Sequence, residues 1–115
     1  MCKDYSKFVE EEIKKRLNNG FEYGKTREVL EFNGRKRIDE MEKELSSCRN
    51  LVYTNKKIES GEVRYTLYFV YSKRNGTAYA ITFREKTRVI TVFHLGKKTL
   101  LKYHRKRFIN KEGLN

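Results

Sequence analysis

The chain has no proline and no tryptophan, and only two cysteines and two histidines among 115 residues. Without proline there is no stiff Pro-rich linker. No low-complexity stretch or repeat of about 20–50 residues divides the chain either, so a single domain over 1–115 is expected. Cys2 and Cys48 have neither a CxxC partner nor a histidine at ligand spacing, and they read as free thiols in a reducing compartment. A zinc site takes about four ligands, against two Cys and two His in total, so no metal and no cofactor is expected. No apolar run approaches the roughly 18–20 residues that cross a bilayer. The start, Met1-Cys2-Lys3-Asp4-Tyr5, lacks the apolar stretch of a secretory leader, and a cytoplasmic protein is the expectation. Carboxylates are scarce in the second half, which disfavours a two-metal nuclease. No Gly-rich phosphate loop or paired-carboxylate site stands out.

What is present is basic charge, unevenly placed. Residues 1–48 hold eleven Lys/Arg and eleven Asp/Glu, which cancel; residues 49–115 hold sixteen against four and carry the whole net charge of +12. Between Arg84 and Arg107 nine basic residues meet one acid, Glu85. Surface ion-pair networks raise both signs together, so they do not produce this asymmetry. A one-signed field attracts polyanions and steers them in quickly. Nucleic acid is therefore the expected partner, RNA ahead of DNA. An acidic protein or an anionic lipid surface is the weaker reading, and on balance no membrane partner is expected.

Hydrophobic spacing predicts an α+β fold. Tyr5, Phe8, Val9, Ile13 and Leu17 recur with helical period, and Asn18-Asn19-Gly20 stops the helix. Within residues 21–33, Thr26–Phe32 fits a short strand or a turn of helix, and Asn33-Gly34 ends it. A second helix is expected from Arg35 to Ser47, with Ile38, Met41 and Leu45 on one face. The period then becomes two. Leu51–Thr54 reads as a short strand, Ser60-Gly61 as a turn, and Val63, Tyr65, Leu67, Phe69 and Tyr71 as one face of a long strand. Asn75-Gly76 is the strongest hairpin signal, because a type I′ turn needs positive φ at both central residues. Tyr79–Phe83 and Val89–Leu95 complete a meander of three or four antiparallel strands. Leu100, Leu101, His104 and Phe108 predict a final helix over 97–110. The helices are expected on one face of the sheet, with 1–48 a helical support and 49–115 the basic sheet and C-terminal helix.

The run Ala78-Tyr79-Ala80-Ile81-Thr82-Phe83, followed by Arg88-Val89-Ile90-Thr91-Val92-Phe93-His94-Leu95-Gly96-Lys97-Lys98-Thr99, resembles the end of RelE/HigB-type toxins. In those proteins a final strand runs into a histidine or aromatic, a Lys-Lys-Thr-like stretch and a C-terminal helix. The wider group is the barnase–EndoU–colicin–RelE-like ribonuclease fold. The resemblance covers about residues 60–105, and the N-terminal helix and the strand near residue 52 depart from the compact toxin pattern. It implies a metal-independent endoribonuclease, with His94, Lys97, Tyr103 and His104 as catalytic candidates, and an acidic antitoxin-like partner. Such cleavage uses the 2′-hydroxyl as nucleophile and needs a base, an acid and cations around the phosphorane. Arg84, Lys86, Arg88, Lys98, Lys102, Arg105, Lys106 and Arg107 are the phosphate-contact candidates.

Plainer readings stand beside these. His94 alternates with Ile90 and Val92 as a half-buried strand residue does, and His104 shares a stripe with Leu100 and Phe108. Tyr103 also fits a ring that covers a sheet edge. Lys97 and Lys98 open a helix, where the dipole disfavours cations; Arg105–Arg107 sit near its end, where the dipole favours them. A non-catalytic RNA- or DNA-binding protein of archaeal, viral or mobile-element origin is the alternative function.

Overall fold

A computed structural model describes residues 4–103, and the folded unit they form is α+β. Helix α1 (Ser6–Lys15) buries Val9 and Ile13. Asp4 Oδ1 accepts hydrogen bonds from Ser6 N at 3.0 Å and Thr54 N at 3.1 Å, which pins the start of α1 to the sheet. A 3-10 turn, Leu17–Asn19, leads to Gly20 at φ 79°. Strand β1 (Phe21–Tyr23) follows, and the segment that fitted strand or helix is helical, in α2 (Arg27–Gly34). Helix α3 (Ile38–Ser47) buries Met41 and Leu45. Strands β2 (Leu51–Glu59), β3 (Glu62–Ser72), β4 (Asn75–Phe83) and β5 (Thr87–His94) follow. Residues 97–103 form the described part of a last helix, α4.

The sheet has the order β1-β5-β4-β3-β2. Strands β2 to β5 are the expected antiparallel meander, but β1 pairs with β5 in parallel, through Phe21↔Thr87, Glu22↔Arg88 and Tyr23↔Val89. The sheet is thus mixed and five-stranded. Without β1, strand β5 would present a bare edge of backbone donors and acceptors.

Two hairpins correct the reading of turns. Ser60 and Gly61 both have positive φ, 53° and 78°, between the paired Glu59 and Glu62, so this loop meets the type I′ requirement. Asn75-Gly76 does not form a turn. The loop there is Lys73-Arg74, between the paired Ser72 and Asn75, and neither Asn75 nor Gly76 has positive φ. Gly76 answers a packing need instead. A Cβ on it would lie 2.7 Å from Leu100 Cδ2, 2.8 Å from the Phe69 carbonyl oxygen and 2.9 Å from Leu95 Cδ1.

The sheet carries apolar packing on both faces. Helices α1, α2 and α3 cover one face, where Val9, Ile13, Leu30, Met41 and Leu45 meet Tyr65, Leu67, Phe69, Tyr79, Ile81, Val89 and Val92. The other face packs Val52, Tyr53, Val70, Ala78 and Leu95 against Leu100 and Tyr103 of α4. The expected one-sided layout is therefore wrong for the last helix. The Leu95-Gly96 exit, tied by Leu95 N donating to Gly76 O at 3.0 Å, delivers α4 to the face opposite α1–α3.

Because Gly76 is where α4 and β3 close together, Gly76→Ala is expected to destabilise the protein by about 1–3 kcal/mol through overpacking. A urea titration followed by circular dichroism measures this as a lower midpoint with an unchanged slope.

Candidate nucleic-acid interface

The end of the sheet where β5 finishes is built by three connections. These are the α2–α3 loop, the Lys73-Arg74 turn and the exit from β5 into α4. Gly34 brings α2 down onto β5, since a Cβ there would lie 2.5 Å from Val92 Cγ1. The next residue, Arg35, ends the helix in the left-handed conformation at φ 55°, which costs an L-residue about 1 kcal/mol and is usually taken by glycine.

The loop after Arg35 is held from both sides. Glu31 Oε2 accepts from Ile38 N at 2.7 Å and from Arg27 Nε at 3.3 Å, and the backbone donor, then Arg27, keeps this carboxylate below its ordinary range. Lys36 Nζ donates to Glu44 Oε1 at 3.0 Å and to the Tyr71 hydroxyl at 2.6 Å. Glu44 also accepts from the hydroxyls of Tyr71 and Tyr79. Burial and then the hydrogen bond to Glu44 push the Tyr71 phenol upward; for Tyr79 burial comes first and the charge of Glu44 second. Both rings stay neutral donors. One half-buried carboxylate thus joins α3, the loop, β3 and β4.

His94 lies beside this cluster. It pairs with Thr77 across β4 and β5, so its side chain is on the helix-covered face with Val92 and Tyr79. A cleft of about 690 Å³ opens over it, lined by Arg35, Lys36, Glu40, Tyr71, Arg74 and Thr77 among others. Burial first, then Arg35 and Lys36, hold the imidazole below its usual range, so at neutral pH it is a neutral donor–acceptor among cations. A second cleft, of about 460 Å³, is lined by Lys73, Arg74, Lys97 and the leucines at 95, 100 and 101. Arg74 borders both.

The remaining sequence candidates divide. His94, Lys97 and Lys98 lie at this end of the sheet. Arg84 and Lys86 form the β4–β5 turn at the other end, with Arg88 just inside β5. The eight residues of β5 put about 20–25 Å between the two ends. Lys86 is exposed and makes no ion pair among the described residues, but the distant arginines are engaged. Arg84 and Arg64 bind Glu62 at 3.2 and 2.9 Å, Arg88 binds Glu22 at 3.6 Å, and Arg16 binds Glu12 at 2.9 Å while donating to Arg84 O at 2.7 Å. By contrast Arg35, Arg49, Lys73, Arg74, Lys97 and Lys98 are exposed, and among the described residues none of them forms an ion pair.

Tyr103 does not join His94. It is only 8% exposed and stacks on Tyr68 and Tyr53 at ring distances of 4.5 and 5.6 Å, on the opposite face. Lys102 sits over the Tyr103 ring at 5.3 Å. His104, Arg105, Lys106, Arg107 and Cys2 lie outside the described residues. Cys48 is a free, buried thiol, and burial raises its pKa to about 12.

Sequence reasoning missed Arg35, Lys36 and Arg74, which line the cleft with His94, and Lys73, which lines the second cleft. The first two belong to the electrically balanced half of the chain. One local signal was available, the Asn33-Gly34 stop that places Arg35 at a helix end. The chain matches no protein-family model, and comparison with curated proteins and with solved structures returns no match.

Removing the carboxylate that organises this end should be costly. Glu44→Ala leaves Lys36 and two tyrosine hydroxyls without their acceptor and is expected to cost about 3 kcal/mol. Glu44→Gln, which keeps an acceptor oxygen, should cost less. Thermal unfolding of the two variants alongside the parent checks both magnitude and order.

Proposed function

We propose that this protein binds nucleic acid through the end of the sheet that carries His94, with RNA the preferred form. The observation that supports this most directly is the segregation of charge. Six exposed cations, Arg35, Arg49, Lys73, Arg74, Lys97 and Lys98, gather at one end of the sheet without ion pairs among the described residues. At the opposite end Arg64, Arg84 and Arg88 are paired with Glu59, Glu62 and Glu22, whereas the acid that organises the His94 end, Glu44, is taken up by Lys36. Unpaired cations release counterions from phosphates on binding, whereas cations already paired contribute little. Glu40 and Asn75 line the same cleft as Arg35 and Arg74, and a Glu carboxylate and an Asn amide oxygen are acceptors suited to a 2′-hydroxyl, the group that separates RNA from DNA.

Binding is favoured over cleavage by the placement of the sequence candidates. A metal-independent ribonuclease of RelE-like type needs a base and an acid about one phosphate. Tyr103 is packed on the far face of the sheet from His94, and the Tyr71 hydroxyl is committed to Glu44. The ribonuclease remains as a second reading because His94 is held neutral between cations, as a general base would be. The end of the described chain, a last strand carrying His94 and then a helix that opens on Lys97 and Lys98, also fits the toxin resemblance.

Fluorescence anisotropy with labelled RNA and DNA oligonucleotides over a range of salt tests the proposal. Replacing Arg35, Arg74, Lys97 and Lys98 by alanine together is expected to flatten the log–log salt dependence by roughly 2–3. Replacing Arg84, Lys86 and Arg88 should change it by less than about 1. Equal effects of the two sets, or no binding by the parent protein, would overturn the reading. Incubation of RNA in EDTA separates the two functions: fragments formed by the parent protein and not by His94→Gln make it a ribonuclease.

A further inference from the structure

We propose that the cleft over His94 is a site for a single phosphodiester, gripped by Arg35 and Arg74, and that its occupation draws a proton from solvent onto His94. The inference rests on the nucleic-acid reading above and names the contact at its centre.

Arg35 is the first argument. It occupies a left-handed helix-end position that glycine would fill with less strain. Its side chain nonetheless lines the cleft, and among the described residues it makes no ion pair. A strained position kept by a long cation that makes no ion pair among the described residues points to a task outside the fold. The loop is already rigid, through Glu31 at Ile38 N and Lys36 at Glu44. A phosphate in the cleft would meet two arginines that line it, and guanidinium groups suit its oxygens.

Charge is the second argument. The groups that face His94 are Arg35 and Lys36 from the α2–α3 loop, Glu40 from α3, Tyr71 from β3 and Arg74 from the hairpin turn; β4 supplies only the uncharged Asn75 and Thr77. Lys36 is offset by Glu44, and Arg35 and Arg74 outweigh Glu40. With a neutral imidazole the cleft carries about one positive charge, enough to attract one diester. Burial first, then the charges of Arg35 and Lys36, disfavours the protonated ring while the site is empty. A bound phosphate cancels their field and offers an acceptor, so the protonated ring becomes the favoured form. Linkage then requires affinity to rise as pH falls through the bound-state pKa of His94.

The test uses dimethyl phosphate, which has no sugar or base and whose single charge is constant over about pH 5–8. The imidazole signals of the full chain are followed by NMR against pH, with His104→Gln identifying the signal of the second histidine. Dimethyl phosphate is compared with sodium chloride at equal ionic strength. The expected result is a rise of His94 pKa of about one unit with dimethyl phosphate, equivalent to tenfold tighter binding by the protonated form. The rise should persist in Arg84→Ala and vanish in Arg35→Gly. Glycine suits the left-handed position, so Arg35→Gly should melt at or above the parent temperature, which separates loss of binding from loss of fold. No rise in the parent protein, or an equal rise in Arg35→Gly, overturns the inference. If RNA still binds with its salt dependence in that case, the wider reading survives; if RNA binding also fails, both fall.

Discussion

The basic end of this protein depends on one carboxylate. Glu44 receives Lys36, Tyr71 and Tyr79, groups from the loop after α2 and from the two central strands β3 and β4. A half-buried lysine beside two buried phenols would be a liability without it, because each buried donor needs an acceptor. With it, the loop that presents Arg35 is fastened to the middle of the sheet. Glu31 secures the same loop from its other side through Ile38 N. The ordering of these groups is completed during folding and is not charged to ligand binding.

The distribution of charge follows from this architecture. In sequence, the first 48 residues are neutral and the rest carry the whole excess. In space the division is between the two ends of the sheet. The supposedly neutral half contributes Arg35 and Lys36 to the basic end, while Glu12 and Glu22 from the same half balance Arg16 and Arg88 toward the other. The linear density between Arg84 and Arg107 is real, but a strand separates its members. Arg84 opens the turn at one end of β5, and Lys97 follows the other.

The two faces of the sheet divide the remaining candidates. His94 shares its face with Thr77 and Val92 beneath the first three helices. Tyr103, nine positions later, stacks with Tyr53 and Tyr68 on the other. The exit after β5 carries the chain around the end of the sheet, and Gly76 leaves room for Leu95 and Leu100 to close over it. Neighbours in sequence are thus kept apart by a layer of backbone.

Much of the fold was legible because its signals are local. The period-two spacing of Tyr65, Leu67 and Phe69 marks a strand face, Val9 and Ile13 mark a helix face, and Ser60-Gly61 marks a tight turn. Asn75-Gly76 carried an equally strong local signal, yet the turn falls two residues earlier, at Lys73-Arg74, and the glycine serves contact with Leu95 and Leu100. β1 and its parallel pairing with β5 were not readable, since a three-residue strand carries almost no period and its partner lies 66 positions away, Phe21 to Thr87. The sequence by itself determined the α+β class, the meander and the net positive charge, all of which follow from residue type and short-range spacing. Only the tertiary structure decided which cations remain unpaired and what surrounds His94. Those depend on where a helix stops over a strand and on which acids lie within reach, and both are distances between residues far apart in the chain.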